Sequence, residues 1–195
     1  MKTLKGTKTA ENLMKSFAGE SQARERYTFY ASAAKKEGYV QMSNIFMETA
    51  LQEEQHAKRF MKFLIEELNG QEIEITAGYP VGLSKNTIEN LKFAAAGEHE
   101  EHTDLYPVFA VVAREEGFET IAKAFEEISK VEERHEIRFR ALLANIENDI
   151  VFKKEKIVLW KCLNCGYIYE GKEAPMACPA CLHPQGYFEL FLPNY

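Results

Sequence analysis

With 195 residues, 46% of them hydrophobic, the chain has room for one large domain, or for one domain and a small module, around a sizeable core. A formal charge of −6 argues against non-specific nucleic-acid binding, which needs a basic surface. No apolar run approaches the roughly 18 residues of a membrane span, and Met1-Lys2-Thr3-Leu4-Lys5-Gly6 has no apolar core of a secretory signal. A cytoplasmic protein with no nucleic-acid or membrane partner is therefore expected. All four cysteines lie in residues 162–181 as two C-x-x-C pairs, which in a reducing compartment read as a metal site and not as a disulfide framework.

The first helix is predicted from an N-cap at Thr9 to about Glu37, with Glu11 in its first turn and Gly38 ending it. Its core stripe reads Leu13, Phe17, Glu20, Arg24, Tyr27, Ala31 and Ala34, the alternating spacing of a bundle helix. The second should run from Val40 to Leu68, with Phe46, Thr49, Glu53, His56, Phe60 and Phe63 inward. Residues 69–84, with Gly70, Gly78, Pro80 and Gly82, break the pattern and read as a long crossover, which ferritin-like bundles have and simple up-down bundles lack. Ser84 or Thr87 is expected to cap the third helix, which runs to Glu116 with Leu91, Ala94, Glu98, Glu101, Leu105, Phe109 and Val112 inward and Pro107 inside it. The fourth spans Phe118 to about Asn148, with Ile121, Phe125, Ile128, Glu132, His135, Phe139, Leu142 and Ile146 in one stripe. In each helix a carboxylate or imidazole occupies a core register.

The helices contain an internal repeat. Glu53, His56, Arg59 and Phe60 recur as Glu132, His135, Arg138 and Phe139 at an offset of 79, and so do Tyr27, Glu37 and Gly38 as Tyr106, Glu116 and Gly117. Ala18-Gly19-Glu20 recurs as Ala96-Gly97-Glu98 at an offset of 78. One residue is therefore inserted between Glu98 and Tyr106. Inside a helix it would rotate everything downstream by about 100° unless a wide turn absorbs it, so a π-bulge is predicted there.

Two helix pairs related by this repeat would gather Glu20, Glu53, His56, Glu98, Glu132 and His135 at one level. One Glu from each of two helices and Glu-x-x-His from each of the other two is the ligand pattern of di-iron and di-manganese carboxylate bundles. Paired cations need anionic bridges, which carboxylates supply, and imidazoles suit iron. Glu101 breaks the symmetry, because its counterpart is Ala23. It is either a seventh ligand or an acid outside the ligand set. Tyr27 and Tyr106 either hydrogen-bond ligand carboxylates or simply fill the core. His102 reads as exposed more readily than as a supporting residue, and His99 and His183 as surface residues.

A polar linker, Lys153-Lys154-Glu155-Lys156, precedes C-x2-C-x12-C-x2-C formed by Cys162, Cys165, Cys178 and Cys181. This spacing suits a tetrahedral four-thiolate site for zinc or iron, and spacing alone does not separate the two. So short a segment cannot hold a core unaided, so the metal belongs to its fold, with Trp160, Tyr167, Tyr169, Phe188 and Phe191 expected to cluster around it. Residues 1–150 and 151–195 thus read as two domains.

Cys-Gly-Tyr and Cys-Pro-Ala-Cys resemble rubredoxin, with Leu182 standing where simple rubredoxins usually have Gly. A bundle with two Glu-x-x-His repeats followed by such a tail resembles the rubrerythrin family over nearly the whole chain. The resemblance implies a mainly α fold: a ferritin-like four-helix bundle with a long crossover, plus a small metal-bound rubredoxin-like β/loop domain. It implies two irons bridged by Glu53 and Glu132, with Glu20 and Glu98 terminal, His135 on the second iron, and His56 exchanging with Glu101 on the first as the redox state changes. It implies a further iron on the four cysteines. The implied activity is reduction of hydrogen peroxide to water, with electrons relayed from an NAD(P)H-dependent reductase directly or through a separate rubredoxin. No G-x-G-x-x-G motif occurs, so the chain should not bind the nicotinamide itself. Transfer between subunits of a head-to-tail homodimer, or a higher homo-oligomer, is expected. The alternatives are a ferritin-type ferroxidase that stores iron and a helical scaffold with a zinc ribbon.

Overall fold

The computed structural model describes residues 3–194. Helix α1 spans Lys8–Lys36, α2 Val40–Leu68, α3 Thr87–Glu100, α4 Tyr106–Glu115 and α5 Glu119–Glu147. α1 packs on α2, and α3 and α4 pack on α5. The crossover between α2 and α3 carries no strand, so the short alternation of Ile73 and Ile75 finds no partner there.

The helix starts are shifted from the sequence reading. Thr7, not Thr9, caps α1, because its side chain accepts the Ala10 amide. Asn86, not Ser84 or Thr87, caps α3 by accepting the amides of Ile88 and Glu89. The displaced threonines have a reciprocal role. Glu116, at the end of α4, accepts the backbone amide and hydroxyl of Thr9, and Glu37, at the end of α1, accepts those of Thr87. Each half of the repeat thereby closes the start of the other, where exposed amides favour an anion.

The inserted residue is absorbed as expected. A π-helical turn, Glu101–Leu105, separates α3 from α4, and the Tyr106 amide bonds Glu101 O across it. The third helix is therefore not continuous to Glu116, and its stripe slips by one residue. Tyr106, Ala110 and Ala113 are buried, while Leu105 is exposed and Phe109 and Val112 are half-buried. In α1, Ala23 is buried in place of the expected Arg24, which lies outside and pairs with Glu54 at 3.0 Å.

Two aromatic layers flank the middle of the bundle. Phe60 lies 5.0 Å from Phe125 and 5.6 Å from Tyr106. Their repeat equivalents Phe139, Phe46 and Tyr27 form the other layer, with Phe46 5.2 Å from Phe139 and Tyr27 5.4 Å from Phe139. Burying these rings removes several hundred Å² from water.

The C-terminal unit is a three-stranded antiparallel sheet in the order β2-β1-β3, with β1 at Lys153–Cys162, β2 at Ile168–Glu173 and β3 at Phe188–Leu190. Its small core holds Trp160, Phe188, Cys162 and Cys178, with Tyr169, Tyr187 and Phe152 against them. Tyr167 is exposed and Phe191 lies outside the cluster; each lies one residue beyond a strand end. The unit docks on the α1–α2 turn. Phe152 stacks on Tyr39 at 6.3 Å. Gly186 lies so close to Gly38 that a Cβ on it would be 2.1 Å from the Gly38 carbonyl oxygen.

Candidate metal centres

Four helices project six donors into the layer between the aromatic clusters. Glu20 comes from α1, Glu53 and His56 from α2, Glu98 from α3, and Glu132 and His135 from α5. The four carboxylates are at most 1% exposed. His56 Nδ1 lies 2.8 Å from Glu53 Oε2, 2.9 Å from Glu132 Oε1 and 3.9 Å from Glu20 Oε1. His135 Nδ1 lies 3.1 Å from Glu53 Oε1, 2.8 Å from Glu132 Oε2 and 3.6 Å from Glu98 Oε2. Glu53 and Glu132 thus present one oxygen to each imidazole, whereas Glu20 sits on one side only and Glu98 on the other. The result is two four-donor groups, Glu20-Glu53-His56-Glu132 and Glu53-Glu98-Glu132-His135, sharing two carboxylates.

The buried oxygens leave room for cations and not for more hydrogen bonds. Glu20 Oε2, Glu53 Oε1, Glu98 Oε2, both Glu132 oxygens and His135 Nδ1 are buried without a hydrogen-bond partner. Buried polar groups are normally paired, and four carboxylates in a core are untenable without compensating charge. Two divalent cations would balance them. The residues present therefore fit a dinuclear metal site. The opposite oxygens are held by protein. Tyr27 Oη donates to Glu98 Oε1 at 2.5 Å, and its repeat partner Tyr106 donates to Glu20 Oε1. Gln52 Oε1 accepts from His135 Nε2 at 2.9 Å, which turns Nδ1 toward the carboxylates, the supporting contact typical of a ligand imidazole.

The electrostatics register the same demand for positive charge. Burial, followed by Glu53 and Glu132, pushes Glu20 well above the usual carboxylate range. Burial and then Glu53 push Glu98 up to about 8. Burial opposes the charging of His56, but Glu132 and Glu53 hold it up to about 10. Glu53, against its own burial, is held at about 2 by His135 and His56.

Glu101 stands apart from both groups. It lies on the π-turn, half-buried, in the lining of a cavity of about 490 Å³ with Arg26, Tyr79, Tyr106 and Phe109. Burial and then Glu98, Glu132 and Glu53 push its carboxyl well above the usual range, while Arg26 pulls the other way.

In the C-terminal unit the four cysteines converge from two knuckles. Sγ atoms of Cys162 and Cys181 are 3.7 Å apart, and those of Cys165 and Cys178 are 3.6 Å apart. Four thiolates at about 2.3 Å from a tetrahedral metal have edges of about 3.8 Å, so this donor set also fits its ion. The knuckles match each other: Gly166 N bonds Cys162 O at 2.8 Å and Leu182 N bonds Cys178 O at 2.9 Å. Both turns need a positive φ, 78° at Gly166 and 60° at Leu182. The His183 backbone amide leads in drawing Cys181 down to about 6. At Cys165 the Tyr167 amide favours the thiolate, but the neighbouring sulfurs and burial outweigh it and push the thiol up to about 12.

Sequence reasoning missed two residues. Gln52 carries no signal, because a glutamine beside a ligand helix stripe looks like any surface glutamine. Glu136, buried and bonded by His102 at 2.5 Å and His99 at 3.1 Å, looks like part of a charged run. His102 is accordingly half-buried, and so is His183, which packs on Tyr187 at 4.6 Å.

The family model for rubrerythrin matches residues 11–143, and that for the rubrerythrin rubredoxin-like domain matches residues 160–189. A rubrerythrin of Clostridium perfringens is 64% identical over 195 residues, covering 100% of both chains. The solved structure of fully reduced, all-ferrous nigerythrin is similar with a TM-score of 0.65 at 30% identity, covering 97% of this chain and 92% of that one. A bacterioferritin of Desulfovibrio desulfuricans, described with its diiron site in different catalytic states, shares the bundle fold with a TM-score of 0.66 at 24% identity, covering 73% of this chain and 82% of that one.

Proposed function

The chain belongs to the rubrerythrin family of iron-dependent oxidoreductases, which hold a di-iron site and a rubredoxin-like four-cysteine iron, and on that premise we propose that it reduces hydrogen peroxide to water in defence against oxidative stress. The observation that carries the proposal is the buried layer of six donors whose unpaired oxygens face one another. When bound there, a diferrous pair supplies together the two electrons that one peroxide molecule takes up with two protons to give two water molecules.

Glu53 and Glu132, with an oxygen toward each imidazole, would be shared by the two cations. Glu20 would hold one cation beside His56, and Glu98 the other beside His135. His56 lies within its donor group and Glu101 outside it, so His56 would hold the first metal ion and Glu101, on the neighbouring π-turn, would be the carboxylate that exchanges with it. Exchange for Glu101 would replace a neutral donor by an anion, which would suit a more highly charged pair of cations. Tyr27 and Tyr106 hold the terminal carboxylates in place, and the aromatic layers keep water from the ends of the site. The cavity beside Glu101 and Tyr106 gives a small substrate its approach.

Cys162, Cys165, Cys178 and Cys181 would hold an iron that supplies one-electron chemistry, with electrons received from an NAD(P)H-dependent reductase or a separate rubredoxin in the cytoplasm. The units 1–150 and 151–195 divide the work between peroxide chemistry and electron entry. The C-terminal unit meets the bundle at Gly38, ahead of α2, and a head-to-tail homodimer would let each four-cysteine site serve the bundle of the second subunit.

Anaerobic titration of the fully reduced protein tests this. One peroxide should be consumed per two electrons, with the four-thiolate absorption returning as the donor runs out. Glu53→Ala should abolish turnover and leave that absorption unchanged. Dioxygen-driven deposition of ferric mineral without stoichiometric use of reductant would overturn the proposal in favour of a ferroxidase.

A further inference from the structure

A second cluster of metal-ligating side chains lies on the outer side of the α3–α5 pair. His99 lies in the last turn of α3, His102 stands on the π-turn, and Glu136 comes from α5. Residues three apart share a helix face, and the two imidazoles converge on one carboxylate oxygen. His99 Nδ1 is 3.1 Å and His102 Nε2 2.5 Å from Glu136 Oε2. The rings stand nearly perpendicular, at 88° with centroids 5.3 Å apart, so each turns a ring nitrogen toward the same point. All three donor atoms lie within 4.8 Å of one another.

We propose that His99, His102 and Glu136 form a third metal site, which takes one divalent first-row transition cation of the zinc or ferrous class. Two imidazoles and a carboxylate are a donor set these ions accept, with water filling the remaining positions. The surroundings are arranged for this. Arg140 Nε bonds Glu136 Oε1, which orients the carboxylate and leaves Oε2 to the imidazoles. Ser129 Oγ donates to the His102 carbonyl at 3.2 Å and ties the π-turn to α5. The His99 side chain is 53% exposed and that of Glu136 11%, so the site opens to solvent on one side and is backed by protein on the other.

The site is separate from the dinuclear layer. Glu136 follows His135 directly, and consecutive helical residues point about 100° apart. Its position on the turn that carries Glu101 gives it a consequence: a cation there would clamp that turn to α5.

The test uses the protein with its iron sites filled. Zn²⁺ is titrated against a chromophoric chelator while iron content and visible absorption are followed. One further Zn²⁺ should bind per chain with iron unchanged. His99→Ala, at an exposed position that the fold does not need, and His102→Ala should each weaken that binding by more than the roughly 10- to 100-fold that loss of a supporting residue costs. No additional zinc in the wild type, equal binding in both variants, or zinc that enters only as iron leaves would each overturn the proposal.

Discussion

Tyr27→Phe and Tyr106→Phe test whether the buried tyrosines serve the metal site or merely fill the core. Each substitution removes one oxygen and keeps the ring, so the aromatic layers survive. Tyr106 is the protein's hydrogen-bond donor to Glu20, whose other oxygen is already unpaired, and Tyr27 is the donor to Glu98, whose other oxygen is likewise unpaired. Without metal, burial raises both carboxyls toward the neutral form, and losing a neutral hydrogen bond costs about 0.5–1.5 kcal/mol. With metal bound the carboxylates are charged, and the same loss costs about 1.5–3 kcal/mol. The difference, of order 1–2 kcal/mol, must appear as weaker metal binding by about 5- to 30-fold. Urea unfolding of the metal-loaded and metal-free forms, followed by helical signal, measures the two costs, and chelator competition measures the affinity. Equal destabilisation of both forms with unchanged affinity would refute the reasoning.

Deleting Thr103, an exposed residue whose hydroxyl bonds His99 O and Asp104, should return the second half to the spacing of the first. Thermal melts should show the bundle intact, gaining about 0.5–1.5 kcal/mol per recovered backbone bond, with both irons bound. Peroxide turnover should fall because Glu101 loses its place, and unchanged turnover would count against its role. Leu182→Gly should stabilise the four-cysteine unit by about 1 kcal/mol, since a side chain at φ 60° is strained by about that much and Leu182 is 79% exposed, so little burial is lost. Thermal bleaching of the four-thiolate absorption should move upward, and no shift would count against strain there. In the metal-free protein, His56 raised to about 10 contributes stability that is complete below its unfolded value of about 6.5 and lost as pH rises toward 10. Glu98, raised to about 8, adds a loss of the same sign between about 4.5 and 8. Unfolding at pH 7 and 9.5 should therefore show the metal-free form weakening by about 1 kcal/mol or more, and the metal-loaded form holding; the reverse order would sink the electrostatic account.

Much of this protein was legible in its residues. Glu-x-x-His at a repeat offset of 79, with polar groups in core registers, pointed to a dinuclear site because buried carboxylates need a reason to be there. The change of offset to 78 located the π-turn, since one extra residue cannot be hidden in a regular helix. The two C-x-x-C pairs pointed to their tetrahedron. What the chain could not disclose was pairing across space. That Thr9 meets Glu116 and Thr87 meets Glu37, so that the apparent caps are not the caps, depends on helix ends coming together across the bundle. Which carboxylates face both imidazoles and which face one is set by the packing of α1 and α2 against α3 and α5. The slip that buries Tyr106 and exposes Leu105 follows from how the π-turn closes, and the choice of Gln52 and Glu136 as partners follows from which surface each helix turns to its neighbour. Periodicity records which face of a helix is inward. Only the tertiary structure decides what that face meets.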